Sequence, residues 1–225
     1  MNNSHKNAIK EKIVKNLVGT SKKISDILEW CKIYLQDRRA RWPTNNLSVV
    51  FDIDDTAISS KTFGTHDHFL DMYKLAQSLQ YKVFFVTARP QFENNYQLTV
   101  DQLVKQGFTT FDGLFLMPTY FLADNSISSQ SYYKFNTRSF IRSHYGTNIM
   151  LNIGDAWSDL YLFPPYEKNK QNAEYAEAID VILGHFQYYI LNNPIETCVN
   201  IKFPQRDFVT NHPPPPSSSS SSSST

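Results

Sequence analysis

No stretch of this sequence approaches the ~20 consecutive apolar residues that a bilayer-crossing helix needs. The first ten residues, Met-Asn-Asn-Ser-His-Lys-Asn-Ala-Ile-Lys, also lack the apolar centre of a secretory signal. The expectation is a soluble, cytoplasmic protein with no membrane partner. Cysteine is scarce. Cys31 and Cys198 are the only two, far apart, in no metal-ligand spacing and no disulfide framework. They read as small buried apolar residues, with a single disulfide left open. An excess of one charge is missing too: 22 Lys+Arg stand against 21 Asp+Glu, a net charge of +1. No whole-molecule field therefore draws the chain to nucleic acid or to an anionic surface. Nucleic acid is the less favoured partner, although local basic clusters remain open.

What is present is the material of a globular core. Apolar residues make up 41% and aromatics 14%, which argues against global disorder. Residues 1–42 read as helical. Ile24, Ile27, Leu28, Cys31, Tyr34 and Leu35 recur at three- and four-residue steps, Ser21 or Ser25 is placed to cap, and Pro43 stops the helix. Arg38, Arg39 and Arg41 suit the negative end of that helix dipole or an anionic substrate. Short apolar runs then follow at Ser48–Ile53, Lys82–Thr87, Gly113–Met117, Ile149–Ile153 and Asp180–Leu183. They alternate with helical patterns over 70–80, 91–106, 131–145 and 171–178. This order predicts an α/β fold of Rossmann-like type, a doubly wound parallel sheet buried on both faces. A run of prolines (213–216) and then serines cannot bury a core, so 206–225 reads as a disordered tail. The domain reading is a 1–42 helical region, a 43–205 core and that tail.

Chemistry gathers where the predicted strands end, the place where ligands sit in open α/β sheets. Asp52-Ile53-Asp54-Asp55-Thr56 follows the first central strand. Alternation puts Asp52 and Asp54 on one side, where two carboxylates repel each other and a divalent cation would relieve them. One such carboxylate can attack phosphorus while the other moves protons. A polar turn with Thr56 as a helix cap would use the same residues. Thr87-Ala88 at the next strand end can offer a hydroxyl and a backbone N–H to a phosphate oxygen, or can cap a helix with Pro90 in its first turn. Lys134 supplies a cation. Gly154-Asp155-Ala156-Trp157-Ser158-Asp159 combines a tight turn with two hard oxygen donors suited to magnesium.

The set Asp52-x-Asp54-x-Thr56, Thr87, Lys134 and Gly154-Asp155-x-x-x-Asp159 resembles the four motifs of the haloacid dehalogenase-like (HAD) hydrolases over residues 47–192. Asp155-Ala156-Trp157-Ser158-Asp159-Leu160, Tyr133-Lys134 with Arg138, and Tyr188-Tyr189-Ile190 look like the class B-like, subfamily IIIB acid phosphatases, which include plant acid phosphatases and vegetative storage proteins. The resemblance implies a nucleophile at Asp52 that forms an aspartyl-phosphate, and a general acid–base at Asp54. It implies Mg²⁺ held by the Asp52 carboxylate, the Asp54 backbone carbonyl and the Asp155 carboxylate, with Asp159 in support. Phosphate would be held by Thr87, Ala88 and Lys134. The implied substrate is a phosphorylated small molecule, nucleotides among the candidates.

The segment Ala57–Tyr81 is too short for a large cap domain. The arginine-bearing N-terminal region, and Phe63, His66, His68 and Phe69, are the lid candidates. Two other readings stand beside a small-ester phosphatase. One is a phosphatase for a phosphoprotein or a nucleic-acid end, drawn by the 38–41 arginines. The other is a storage or binding protein with a weak site.

Overall fold

The computed structural model describes residues 17–21, 23–44, 46–59, 67–123, 127–160, 188–193 and 196–203. The expected strand at Asp180–Leu183, the helix at 171–178 and the tail lie outside them. In chain order the elements are β1 (Leu17–Ser21), α1 (Ile24–Arg41), β2 (Leu47–Phe51), α2 (Asp67–Ser78), β3 (Lys82–Pro90), α3 (Asn95–Lys105) and β4 (Gly113–Met117). A 3₁₀ turn (Thr119–Ala123), α4 (Ile127–His144), β5 (Asn148–Gly154), the single-turn α5 (Trp157–Leu160), β6 (Tyr188–Asn193) and β7 (Cys198–Lys202) follow.

The strands form one seven-stranded sheet in the order β1-β6-β7-β5-β2-β3-β4. β7, β5, β2, β3 and β4 pair in parallel, as the apolar runs predict. The sheet is nevertheless mixed, because β6 runs antiparallel to both β7 and β1. Residues 17–21, expected to be helical, are therefore an edge strand, while Ile24–Arg41 is a helix as expected. Thr87 is inside β3 rather than at a helix cap. The strand continues to Pro90, with a register irregularity against β4 between Thr87 and Pro90, and α3 begins at Asn95.

Alternation along the central strands feeds two cores. Val49, Phe51, Val83 and Phe85 pack with residues of α1, α2 and α3 on one face. Val50, Phe84 and Val86 pack with Tyr133 and Ile141 of α4 on the other. Phe51, Phe84 and Phe85 are fully buried, each contributing about 1.5–3 kcal/mol relative to exposure. α1 buries Ile27, Cys31 and Leu35 along one stripe, ends at Arg41 and leaves the helix at Trp42, before Pro43. Its first turn is not capped by a serine; Ser21 Oγ instead donates to Asp26 at 2.6 Å and accepts from the Lys23 N–H. After α3, Gly107 takes φ +95°, a left-handed stop that a side chain would strain. Both cysteines are free and buried, so neither forms a disulfide. Burial pushes the Cys198 thiol up to about 12. Among the described residues no helix is long and apolar enough to cross a membrane.

Parallel strands define two ends of this sheet. The starts of β2, β3 and β5 lie at one end together with the C-terminus of α1. Their C-termini, with the loops that follow, lie at the other. The basic cluster belongs to the first end. Arg39 donates to the Leu79 and Gln80 carbonyls just before β3 at 2.8 and 2.7 Å, and its guanidinium lies over the Tyr81 ring. Arg41 pairs with Asp37 one turn earlier. Arg39 thus staples α1 to the α2–β3 turn, which removes it as a candidate for a lid or a substrate contact, while Arg38 lies over the Tyr34 and Trp42 rings of the same helix end. Phe69 is not a lid residue either, being buried against Phe203 with ring centroids 4.3 Å apart. His68 is exposed on the first turn of α2. Phe63 and His66 lie outside the described residues.

Candidate functional site

The chain leaves β2 at Phe51 and turns tightly. The Asp52 N–H donates to Ile153 O across to β5, and the N–H of Asp55 and the N–H of Ile58 close the turn on Ile58 O and Ile53 O. Asp55 sits at φ +56°, in the left-handed region that Asp tolerates better than most residues. This geometry points Asp52 into the protein while Asp54 remains half-exposed. On the neighbouring strand, β5 delivers Asp155 directly after Gly154. A Cβ on Gly154 would overlap the Asp159 side chain, with Oδ2 only 2.5 Å away, so only glycine lets Asp159 fold back over the strand end.

Asp52, Asp155 and Asp159 are all buried and can each present a carboxylate oxygen within 4.8 Å of the others. Lys134, from α4, reaches the same place. Its ammonium lies 2.6 Å from Asp52 Oδ1 and is also paired with Asp159 Oδ1. Thr56 ties the two acidic segments together: its hydroxyl donates to Asp155 Oδ1 at 3.3 Å and accepts the Asp155 N–H at 3.1 Å. It is thus a brace between strand ends rather than a helix cap.

The electrostatics follow from three carboxylates facing one ammonium. Burial, then repulsion from Asp159, pushes the Asp52 carboxyl well above the usual carboxylate range, and Lys134 only partly opposes this. Burial and Asp159 likewise push Asp155 up to about 7, with Lys202 and Lys134 in opposition. Burial by itself would depress Lys134, but Asp159 and Asp52 outweigh it and hold the ammonium charged, above its ordinary range. Asp52 and Lys134 are both shifted upward, which disfavours the charge on the carboxyl and favours it on the ammonium. The surplus of negative charge explains both: the cation is welcome and each further anion is not. An all-oxygen, anion-rich donor set of this kind fits a hard divalent cation.

Asp54 faces the other way. Its carboxylate is gripped by Arg89, with Nε at 2.9 Å from Oδ2 and Nη2 at 2.8 Å from Oδ1, and Thr87 Oγ1 donates to Oδ2 at 3.3 Å. Arg89 is itself held by Gln102 and Thr99 of α3. The Asp54 carboxylate is therefore outside the buried trio, and Asp159 stands inside it. Thr87 is fully buried and also accepts the Arg89 N–H, while Ala88 is half-buried beside it.

Behind the trio stand further residues, of which only Arg138 belongs to the sequence resemblance. Asp159 is fixed through its backbone carbonyl, which accepts from Arg138 Nη1 and from Asn152 Nδ2. Asn200 Nδ2 holds the adjacent Leu160 carbonyl at 2.9 Å. Arg138 is itself buried in a two-pronged ion pair with Glu196, at 2.7 and 2.9 Å. Burial would raise Glu196, but Arg138 and then Arg142 outweigh it and hold this carboxyl below its ordinary range. Lys202, buried at the end of β7 opposite Gly154, adds positive potential near Asp155. Glu196, Asn200 and Lys202 lie on or beside a strand that the sequence pattern does not reveal.

No curated protein matches the chain. A family model does: that of the HAD superfamily, subfamily IIIB (acid phosphatase), matches residues 64–195, more than half of the 225-residue chain. The matched stretch carries Thr87, Lys134, Asp155 and Asp159, and begins after Asp52 and Asp54. The mixed α/β sheet and the buried acidic trio at its strand ends agree with that match, and members of this superfamily generally use a divalent metal. The chain belongs to the subfamily IIIB acid phosphatases of the HAD superfamily and is a phosphoric monoester hydrolase.

Proposed function

We propose that the chain hydrolyses phosphorylated small molecules through an aspartyl-phosphate on Asp52, with Mg²⁺ as cofactor. The observation that carries this reading is the convergence of Asp52, Asp155 and Asp159 with the Lys134 ammonium in one buried cluster. We assign the catalytic core to residues 43–205, with 206–225 as an appended tail.

The carboxylates of Asp52, Asp155 and Asp159, together with the Asp54 backbone carbonyl, would hold Mg²⁺. The ion would supply charge neutralisation for the phosphoryl oxygens. In the first half-reaction an Asp52 carboxylate oxygen attacks phosphorus and the bond from phosphorus to the ester oxygen breaks. Asp54, as the acid, gives its proton to that departing oxygen. In the second half-reaction Asp54, now a carboxylate, takes a proton from water. The water oxygen attacks phosphorus, the Asp52–phosphorus bond breaks, and inorganic phosphate leaves with both carboxyl groups restored. Lys134, Thr87 and the Ala88 backbone bind phosphoryl oxygens. Lys134 is held firmly protonated by its two carboxylates, so it neutralises charge and transfers no proton. Arg89 and Thr87 orient Asp54 toward the leaving group.

A small ester is favoured over a polymer because the 38–41 arginines, which would have recruited a polyanion, stand on α1 at the far end of the sheet, where Arg39 and Arg41 are already paired. The test is hydrolysis of an aryl phosphate with Mg²⁺ and with chelator. Turnover should require the metal and fall at least ~10³-fold in Asp52→Asn. Equal rates for wild type and Asp52→Asn would overturn the assignment of the nucleophile.

A further inference from the structure

β7 ends on a buried lysine. Lys202 is the last residue of that strand and only 2% exposed, so its ammonium is held out of bulk water. Burying an ammonium is costly unless an acceptor and an opposite charge lie close. The Phe203 carbonyl is one acceptor, at 2.8 Å. The register of the sheet shows where the opposite charge lies.

In the parallel pairing of β5 with β7, Lys202 stands opposite Gly154, and the Phe203 N–H donates to the Gly154 carbonyl at 3.0 Å. Directly paired residues turn their side chains to the same face of a sheet. Two residues earlier, the pair Asn152 and Asn200 identifies that face. Their amides meet at 3.2 Å and hold the carbonyls of Asp159 and Leu160. Gly154 has no side chain, and the space its Cβ would take is filled by the Asp159 side chain. Lys202 therefore projects on the face that carries Asp159, one strand spacing (about 4.8 Å) from the turn into Asp155. The electrostatics agree. Burial and then Asp159 push the Asp155 carboxyl up to about 7; Lys202 is the first of the groups opposing that rise, ahead of Lys134, and Asp55 adds a weaker push upward. The two lysines thus divide the trio. Lys134 pairs with Asp52 and Asp159, and Lys202 offsets Asp155.

We propose that Lys202 is a positioning residue of the phosphatase centre, a second fixed cation that acts through Asp155 so that the site holds its metal loosely and phosphate firmly. The residue lies beyond the stretch 64–195 that matches the family. The proposal rests on the reading that Asp52, Asp155 and Asp159 hold Mg²⁺. A fixed positive charge beside these carboxylates repels the metal and attracts a phosphate dianion. Removing it must move the two affinities in opposite directions, whereas losing a merely structural support loosens the site for both. A divalent ion gains twice what a proton gains at the same carboxylates, so the metal tightens even where a proton competes.

The test is calorimetric titration of the full chain, first with Mg²⁺ alone and then with inorganic phosphate at saturating Mg²⁺. Lys202→Gln keeps a donor for the Phe203 carbonyl and removes the charge. It should tighten Mg²⁺ at least threefold and weaken phosphate at least threefold. Lys202→Met, which removes the donor as well, should do the same, and Lys202→Arg should return both affinities toward wild type. Affinities that fall together, affinities that do not move, or a Lys202→Arg no better than Lys202→Gln would overturn the proposal. So would failure of both neutral variants to fold, since the charge would then serve the fold instead of the site. An absence of Mg²⁺ binding to wild type would overturn the metal reading beneath the proposal, a result distinct from Mg²⁺ binding that Lys202 does not influence.

Discussion

Replacing Asp52 by Asn should make the metal-free protein more stable, even though Asp52 forms a short, buried ion pair with Lys134. The sign comes from the surplus of negative charge. Lys134 is already paired with Asp159, so removing the Asp52 charge orphans no cation. It relieves the desolvation of one carboxylate and its repulsion with Asp159 and Asp155. Because Lys134 keeps Asp159, the ~3–5 kcal/mol cost of stranding a buried charge should not arise, and the relieved desolvation sets the sign. The pH dependence follows from linkage. Asp52 and Asp155 have carboxyls raised in the folded state, so the native protein binds more protons than the unfolded chain above the ordinary carboxylate range. Wild-type stability in chelator should therefore be greatest near the unfolded carboxylate value of ~4. It should fall as pH climbs from there through about 7, where Asp155 titrates.

The advantage of Asp52→Asn should accordingly be larger at pH 7.5 than at pH 5. Urea unfolding in chelator at both values measures it. Excess Mg²⁺ should reverse the order, since a ligand at a hundred times its dissociation constant stabilises wild type by ~2.7 kcal/mol. If Asp52→Asn proves less stable than wild type by more than ~1 kcal/mol at pH 7.5 in chelator, the Lys134 attraction dominates and the surplus-charge argument fails. An advantage independent of pH would also refute it.

Three other substitutions probe the supports of the site. Arg89→Gln loosens a pair that is partly exposed, so stability should change by less than ~1 kcal/mol, while kcat falls about tenfold to a hundredfold as Asp54 loses its orientation; urea melts and steady-state kinetics separate the two. Arg138→Met takes the two-pronged partner from the buried Glu196 and should cost about 3–5 kcal/mol, most of it recovered when Glu196→Gln is added. That recovery is read from a double-mutant cycle of unfolding free energies. Gly154→Ala drives a methyl into Asp159 and should reduce kcat/KM at least ~10²-fold, with a weakened Mg²⁺ requirement visible in a metal titration.

The parts of the fold that sequence reveals are those whose burial is uniform. Val49–Phe51 and Phe84–Val86 are apolar on both faces, so they read as central parallel strands, and Gly113–Met117 coincides with β4 to the residue. β7 behaves otherwise. In Cys198-Val199-Asn200-Ile201-Lys202 every residue is buried, including the Asn and the Lys, so the polar letters that normally mark a solvent face mark an internal network instead. β1 fails for a different reason. Leu17–Ser21 pairs with β6, from the far end of the chain, and its neighbours on both sides favour a helix, so only the tertiary pairing makes it a strand.

The same distinction divides the site. Asp52, Lys134, Asp155 and Asp159 are legible because phosphoryl transfer needs those residue types beside strand ends, and the order of the sheet then brings the ends of β2 and β5 together. What local sequence cannot carry is which way a side chain turns after its strand ends. Asp54 and Asp52 alternate onto one side of an ideal strand, yet the tight turn closed at Ile58 separates them, sending one to Arg89 and the other to Lys134. Asp159 moves from a supporting position into the trio for a comparable reason. Its place is set by what holds its carbonyl, namely Arg138 from α4 and Asn152 from β5, and by the missing Cβ of Gly154. A buried carboxylate is thus positioned by cations and an amide from two other places in the fold, α4 and β5. Their own partners, Glu196 and Asn200, belong to the one sheet region whose pattern is hidden by its polarity.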